Sequence, residues 1–326
     1  DKRRTNIIET QKDINIEDII PDDDMLVTIT RSGYIKRTSL DLYRSQKRGG
    51  KGILGIVPKD EDVVMDIFVT SNHSYLLFFT NRGIIHWLKV YELPEVSRIS
   101  KGKAIVNLIN LNEGEYVTSV LPVPDFHPGF YITMVTRRGI IKKTGLEEFS
   151  NPRKDGIISI LLDKDDELIT ARITPGDREL AIISKNGRAV RILETLVKST
   201  GRKSRGVKSM TLSGDDSIIG MEVITEESDI LIVSENGYGK LTRAKDYPLR
   251  NRRSKGVIGI KVTKKNGPPV GILSVEKGDE VMLMTDRGKT MRMKVSNRKT
   301  GRNTIGVKLI DITNGEKLTS ITRIKE

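Results

Sequence analysis

Val27-Thr28-Ile29-Thr30-Arg31-Ser32-Gly33-Tyr34-Ile35-Lys36-Arg37 reads as two short strands joined by a tight turn. β-branched and apolar residues flank a polar turn that ends in glycine, the residue that takes up positive φ without a Cβ penalty. The pattern returns five times. Phe78-Phe79-Thr80-Asn81-Arg82-Gly83-Ile84-Ile85 and Met134-Val135-Thr136-Arg137-Arg138-Gly139-Ile140-Ile141 are followed by Ile182-Ile183-Ser184-Lys185-Asn186-Gly187-Arg188-Ala189. Ile232-Val233-Ser234-Glu235-Asn236-Gly237-Tyr238-Gly239 and Leu283-Met284-Thr285-Asp286-Arg287-Gly288-Lys289-Thr290 complete the set.

The six turn glycines lie 50, 56, 48, 50 and 51 residues apart, and a second series, Gly52, Gly102, Gly156, Gly206, Gly256 and Gly306, keeps spacings of 50, 54, 50, 50 and 50. Two anchors in phase over six copies mark a repeat architecture. Within each copy apolar residues alternate or run in short β-branched stretches, with no apolar stripe of helical period. A unit of roughly 50 residues cannot bury its own sheet faces, but six sheets set radially bury one another, as in a propeller. The predicted fold is all-β, a six-bladed ring of four-stranded blades.

The expected organisation is a polar linker over residues 1–13, leading from a part outside this chain, and one domain over 14–326. Its repeats fall at about 25–73, 75–123, 130–177, 179–227, 229–279 and 280–326. A strand precedes each hairpin, as in Val64–Val69, Tyr116–Leu121, Leu168–Ile173, Ile218–Ile224 and Val270–Val275. Ile14–Ile20 and Leu318–Ile324 both fit as well, so seven candidates compete for six places, and one of the two terminal ones is expected to close the ring.

Composition narrows the function. The 326 residues include 56 Lys+Arg and 43 Asp+Glu, a net charge of +13, so a polyanionic partner is indicated. The absence of Cys excludes disulfides, thiol nucleophiles and Cys-ligated metal, and fits a reducing compartment. No apolar run approaches the roughly 18 residues of a membrane span, and Asp1-Lys2-Arg3-Arg4 leads into no signal core. A cytoplasmic, nucleoid-associated location with no membrane partner is expected.

The charge is segregated within the repeat. The stretches from first to second glycine hold 32 of the 56 basic and 8 of the 43 acidic residues, a net +24, leaving −11 for the rest. In chain order their net charges are +5, +1, +1, +5, +6 and +6. Because the same part of every unit occupies the same radial position, these stretches are expected to form an uneven basic belt. Double-stranded nucleic acid fits it better than single strands, which need aromatic platforms, since only 5% of the chain is aromatic. With no reading helix evident, recognition should rest on phosphates and on DNA deformability.

Before the second glycine of the first repeat stands Gln46-Lys47-Arg48-Gly49-Gly50-Lys51-Gly52, three cations and three glycines that suit a phosphate clamp or a flexible turn. This heptapeptide closely resembles the glutamine-arginine-arginine-glycine-glycine-lysine-glycine box of the C-terminal domain of the bacterial gyrase A protein, and the six-fold repeat resembles that domain's β-pinwheel. Lys47 stands where the family usually has Arg, keeping the charge but losing the planar fork. The likeness runs from about Ile14 to the end. Later repeats carry decayed forms of the box: Ser97–Gly102, Asn151–Gly156, Gly201–Gly206, Arg252–Gly256 and Gly301–Gly306.

The resemblance implies a non-catalytic domain, monomeric in isolation and free of cofactors, that binds, bends and wraps duplex DNA. It also implies two protein partners, the remainder of the gyrase A chain and gyrase B, and a holoenzyme that thereby introduces negative supercoils. The box residues would form the first-blade clamp. The rim would include Arg37, Arg98, Lys101, Arg153, Lys154, Arg202, Lys203, Arg205, Arg252, Arg253, Lys255, Arg298 and Arg302. The equivalent domain of topoisomerase IV, whose box is typically degraded, and a protein-docking propeller are the competing readings.

Other motifs carry less. Gly50-Lys51-Gly52-Ile53-Leu54-Gly55 has the glycine spacing of a dinucleotide site without its strand and helix. Asp163-Lys164-Asp165-Asp166-Glu167 lacks the sharp-turn glycine of a calcium loop, Leu168 standing there, and reads as an acidic turn between repeats. His73, His86 and His127 are too scattered for a metal site.

Overall fold

Alternation along the hairpin strands decides how the sheets stack. In the second hairpin Leu76 and Phe78 point to one side and join Met25, Val27, Ile29 and Ile35 of the first, while Leu77 and Phe79 point to the other and join Ile132, Met134 and Leu168. Three further clusters repeat this between successive hairpins, so among the described residues five packed layers are each shared by two blades. A period of two gives the first hairpin strand of blades two to five two faces, and both are buried.

The structure is a computed structural model that describes residues 16–30, 32–39, 64–97, 100–287, 289–295, 298–312 and 315–324. Six antiparallel sheets form the six blades of a β-propeller. The first blade runs Val64–Ser71, Asp24–Thr30, Tyr34–Ser39, Lys103–Ala104 in spatial order. The hairpin is central. The strand that follows it in sequence lies on one side, and a two-residue strand from the next repeat lies on the other. Blades two to five copy this order, taking perimeter strands from Ile157–Ile158, Val207–Lys208, Val257–Ile258 and Val307–Lys308. The sixth blade has three strands among the described residues, Glu280–Thr285, Thr290–Lys294 and Leu318–Ile324.

The strands expected to precede each hairpin therefore pair with the hairpin before them. Val64–Ser71 lies on the first hairpin, Leu168–Thr174 on the third and Leu318–Ile324 on the sixth. The count of seven resolves on this point: Leu318–Ile324 completes the sixth blade, whereas Ile16–Asp18 is a turn of 3-10 helix ahead of Pro21. The inner strands pack beside one another around the ring, and Leu318–Ile324 meets Val64–Ser71 where it closes. Residues 1–13, expected as a linker, lie outside the described residues.

A carboxylate repeat holds the turns. The hydroxyl of Thr80 donates to Glu115 at 2.6 Å, that of Thr136 to Asp166 at 2.6 Å, and that of Ser184 to Asp216 at 2.7 Å; Thr285 makes the same bond to Glu316. The acidic turn around Asp166 thus locks a hairpin.

The second glycine series sets the reach of the perimeter strands. Gly206 has φ +88°, and a Cβ there would stand 2.5 Å from the Ile141 carbonyl oxygen of the blade it joins; Gly102 stands in the same relation to Ile35. A side chain would meet both a backbone clash and a left-handed conformation, which alone costs about 1–2 kcal/mol. Gly206→Ala should lower unfolding stability by at least about 2 kcal/mol in chemical denaturation. An unchanged midpoint would contradict this account of the strand exchange.

Candidate nucleic-acid interface

Loops 201–206, 251–256 and 301–306 each arch over the outer edge of the preceding blade and are fixed at both feet to that blade's second hairpin strand. The loop 201–206 enters with Thr200 N donating to the Lys143 carbonyl at 2.9 Å and leaves through Val207, paired with Ile141. The loop 251–256 enters with Arg250 N on the Arg191 carbonyl at 2.8 Å, and 301–306 with Thr300 N on the Leu241 carbonyl at 2.8 Å. Each leads into a perimeter strand, so these loops lie on the rim.

Exposure alternates along them. In 201–206, Arg202 and Ser204 turn inward while Lys203 and Arg205 face solvent; in 251–256, Arg252 turns inward while Arg253 and Lys255 face solvent. Lys101, Arg153, Lys154 and Arg298 are likewise exposed. Arg253 has φ +67°, and its own N–H donates to the Ser209 carbonyl at 2.8 Å, so the chain holds a strained backbone while its side chain points outward. Arg205 pairs with Asp163 at 3.1 Å, and Lys101 lies over the Tyr34 ring at 4.3 Å. Both cations are exposed, and exposed pairs of this kind hold a cation only weakly.

Not every expected cation is on this surface. Arg37, with a side chain 13% exposed, donates to the Leu93 carbonyl at 2.9 Å and to Asn72 Oδ1 at 2.7 Å, and pairs with Glu95 at 3.2 Å. It ties the first blade to the second. Lys143 and Arg191 occupy the same place in later hairpins and reach carbonyls of the following blade, as does Trp87, which donates to the Phe149 carbonyl at 2.9 Å. The position four residues past the turn glycine thus recurs as an inter-blade tie, and a basic side chain there reads like a rim cation until its partners are seen. The inward arginines are also engaged: Arg252 donates to the Leu196 carbonyl at 2.8 Å, Arg302 to that of Ile258 at 3.5 Å, and Arg202 pairs with Glu148 at 3.8 Å. The box Gln46–Gly52 and Arg98 lie outside the described residues.

Sequence reasoning also missed cations. Lys103, Lys208 and Lys308 stand exposed on or beside the perimeter strands, one or two residues past the second glycine, where counting only from glycine to glycine excluded them. More important are lysines pointing inward one residue before the ties. Lys36 Nζ donates to the Ser100 carbonyl at 2.7 Å, Lys142 Nζ to the carbonyls of Ser159 at 2.6 Å and of Arg202, and Lys240 Nζ to Thr242 Oγ1 at 2.6 Å and the Gly301 carbonyl at 3.4 Å. All three are buried.

Burial lowers the pKa of each. Lys142 falls to about 8, with Arg202 adding to the loss and Glu148 opposing it; Lys240 falls to about 7, with Arg302 adding and Asp246 opposing. In the second hairpin His86 takes this position, and burial lowers its pKa as well. Among the described residues both of its ring nitrogens are without a protein partner. Among the described residues no cluster of three or more His, Asp or Glu side chains could hold a metal ion, and no helix is long and apolar enough to cross a membrane.

Comparison with known proteins agrees with this architecture blade by blade. The family described as the DNA gyrase C-terminal domain, a β-propeller, matches residues 24–71, 74–124, 131–175, 178–225, 228–267 and 279–325. The gyrase A protein of Clostridium acetobutylicum is 46% identical over 327 residues, which cover all of this chain and 39% of that protein; the chain thus spans about two fifths of the relative's length. Among solved structures, a DNA gyrase A C-terminal domain aligns with a TM-score of 0.74 at 28% identity, covering 93% of this chain and 100% of the other. A C-terminal domain of DNA topoisomerase IV aligns with a TM-score of 0.79 at 27% identity, covering 94% of each.

The buried amines make stability depend on pH. Below about pH 7 Lys240 is charged in both folded and unfolded chains and its desolvation opposes folding; between about 7 and its ordinary 10.5 only the unfolded chain holds that proton, so folding gains as pH rises. Thermal melts from pH 6 to 9 should show wild type gaining Tm relative to Lys240→Met, which lacks the titration. Parallel profiles would contradict the burial of a titrating amine.

Proposed function

Because the chain belongs to the DNA gyrase C-terminal β-propeller family, we propose that it binds duplex DNA along its rim, bends it and wraps it. In this reading it works joined to the remainder of a gyrase A protein and together with gyrase B, on chromosomal DNA in the cytoplasm. It lets the assembled type II topoisomerase introduce negative supercoils, while strand cleavage and ATP hydrolysis reside in other parts of that assembly.

The observation that carries this is the alternation in the rim loops. Cations at the same places in successive loops face outward on the perimeter, Lys203 and Arg205 in one blade and Arg253 and Lys255 in the next. Such a surface meets phosphates on a curve and, among the described residues, presents no helix for reading base edges. Bending a 20–30 bp site costs about 1–6 kcal/mol by elastic estimates, which released counterions along the rim offset. Gln46–Gly52 contributes the first-blade clamp, with Lys47, Arg48 and Lys51 on phosphates and Gly49, Gly50 and Gly52 giving backbone N–H groups access.

The topoisomerase IV domain is the second reading, favoured by the higher TM-score of that structural match. The nearly intact heptapeptide at 46–52 and the 46% identity to a gyrase A protein favour gyrase.

Binding of a duplex to this chain, followed by anisotropy over a salt series, should give a log–log slope near −9 if about ten phosphates are neutralised. Lys203→Ala with Arg253→Ala should reduce the slope by about two while leaving Tm unchanged. A slope near zero would defeat the reading.

A further inference from the structure

The rim loops are joined to one another as well as to their blades. The Leu161 N–H donates to the Ser204 carbonyl at 3.0 Å, that of Thr211 to the Ser254 carbonyl at 2.9 Å, and that of Lys261 to the Thr304 carbonyl at 3.0 Å. Arg253 adds two bonds to the same seam, its N–H to the Ser209 carbonyl at 2.8 Å and its carbonyl accepting from Thr211 Oγ1 at 2.6 Å. The stretches after Ile157–Ile158, Val207–Lys208 and Val257–Ile258 thus clasp the following loops, and loops 201–206, 251–256 and 301–306 stand in one hydrogen-bonded seam over three blades.

Each of these loops is also held from the blade beneath. Lys142 takes the carbonyl of Arg202, and Lys240 that of Gly301. Under the middle loop, where Val190 replaces the lysine, Arg188 donates to the carbonyls of Lys255 at 3.2 Å and Gly256 at 2.8 Å. The loop 151–156 differs on both counts. It sits over His86, whose ring donates to nothing among the described residues, and its link to the previous rim stretch is a side-chain bond, Asn110 Nδ2 to Asp155 Oδ1 at 3.3 Å. The stretch that contains it, 139–156, has one of the two lowest net charges of the six.

We propose that Lys142, Arg188 and Lys240 are positioning residues that, with the inter-loop bonds, hold loops 201–206, 251–256 and 301–306 as one preformed rail for a duplex backbone, the rail ending at the loop over His86. The inference rests on the duplex-binding reading above and adds to it that loop geometry, beyond charge, sets the bend. An outward cation on a loose loop still attracts phosphate, but it pulls the loop toward straight DNA instead of pulling DNA onto the rim. Holding the backbone from below leaves Lys203, Arg205, Arg253 and Lys255 at fixed spacing without using their charges.

The test uses this chain with Lys142→Met and Lys240→Met combined, which leaves every outward cation in place. Hydrogen exchange of amides in 201–206 and 301–306 should accelerate at least tenfold with the inner strands unchanged. Linking-number change per bound chain should fall at least twofold, while duplex affinity drops less than threefold and the salt slope holds. Unchanged loop exchange and unchanged linking number would overturn the inference, as would a loss of affinity as large as the loss of bending.

Should the double variant fail to fold, His86→Lys provides the converse test. It should slow exchange in 151–156 at least tenfold and increase the linking-number change; no slowing would overturn the pinning role. A wild-type chain that fails to bend DNA at all would sink the duplex reading itself, whereas equal wrapping by wild type and variant sinks only the rail.

Discussion

The whole arrangement depends on one close approach. Each perimeter strand is lent by the following repeat, and it can be lent only because a glycine with left-handed backbone lies against a carbonyl oxygen of the borrowing blade, Gly206 on Ile141 and Gly102 on Ile35. The lent strand is two residues long, Val207–Lys208 in this case, and two residues bury too little to bind by themselves. What secures it is the loop before it, clamped at its other foot by the bond from Thr200 to Lys143. The exchange that links blades therefore throws up the rim loop as a by-product, and the loop is where the cations stand.

This explains why charge and fold share a period. A side chain in an arch with two fixed feet alternates inward and outward, so Arg202 is engaged by Glu148 and its surroundings while Lys203 and Arg205 remain for a partner. The inward face of the arch is backbone, and its carbonyls are met by buried lysine amines from below, Lys36, Lys142 and Lys240. Burying a charge is costly unless it is well bonded. That cost appears as pKa values lowered to about 8 and about 7 in the latter two.

Much of this was legible in the amino-acid sequence, because the dominant signal is periodic. The two glycine series gave the number of blades and the all-β class, and Gly206 is needed for the reason glycine is read in any turn. The pairing of Val64–Ser71 with the hairpin behind it was not legible, since apolar alternation marks a strand but not its neighbour. Ile14–Ile20 has strand composition, yet its described part carries Glu17 and Asp18, runs into Pro21 and folds as a 3-10 turn. Among the rim cations, net charge does not tell an inward side chain from an outward one: Arg37 in a strand and Arg202 and Arg252 in the loops count alike with Lys203. Arg37 is an inter-blade tie and Lys240 a buried prop, and only partners and burial separate them from Lys203.

The central claim is that outward cations on successive loops form one curved track that imposes its curvature on a duplex. Ligating nicked circular DNA with increasing amounts of bound chain, removing the protein and resolving the topoisomers tests it most directly. A linking-number distribution that shifts steadily in one direction with occupancy is the result predicted here. A distribution centred where protein-free circles fall, at a concentration where binding is saturated, would contradict it.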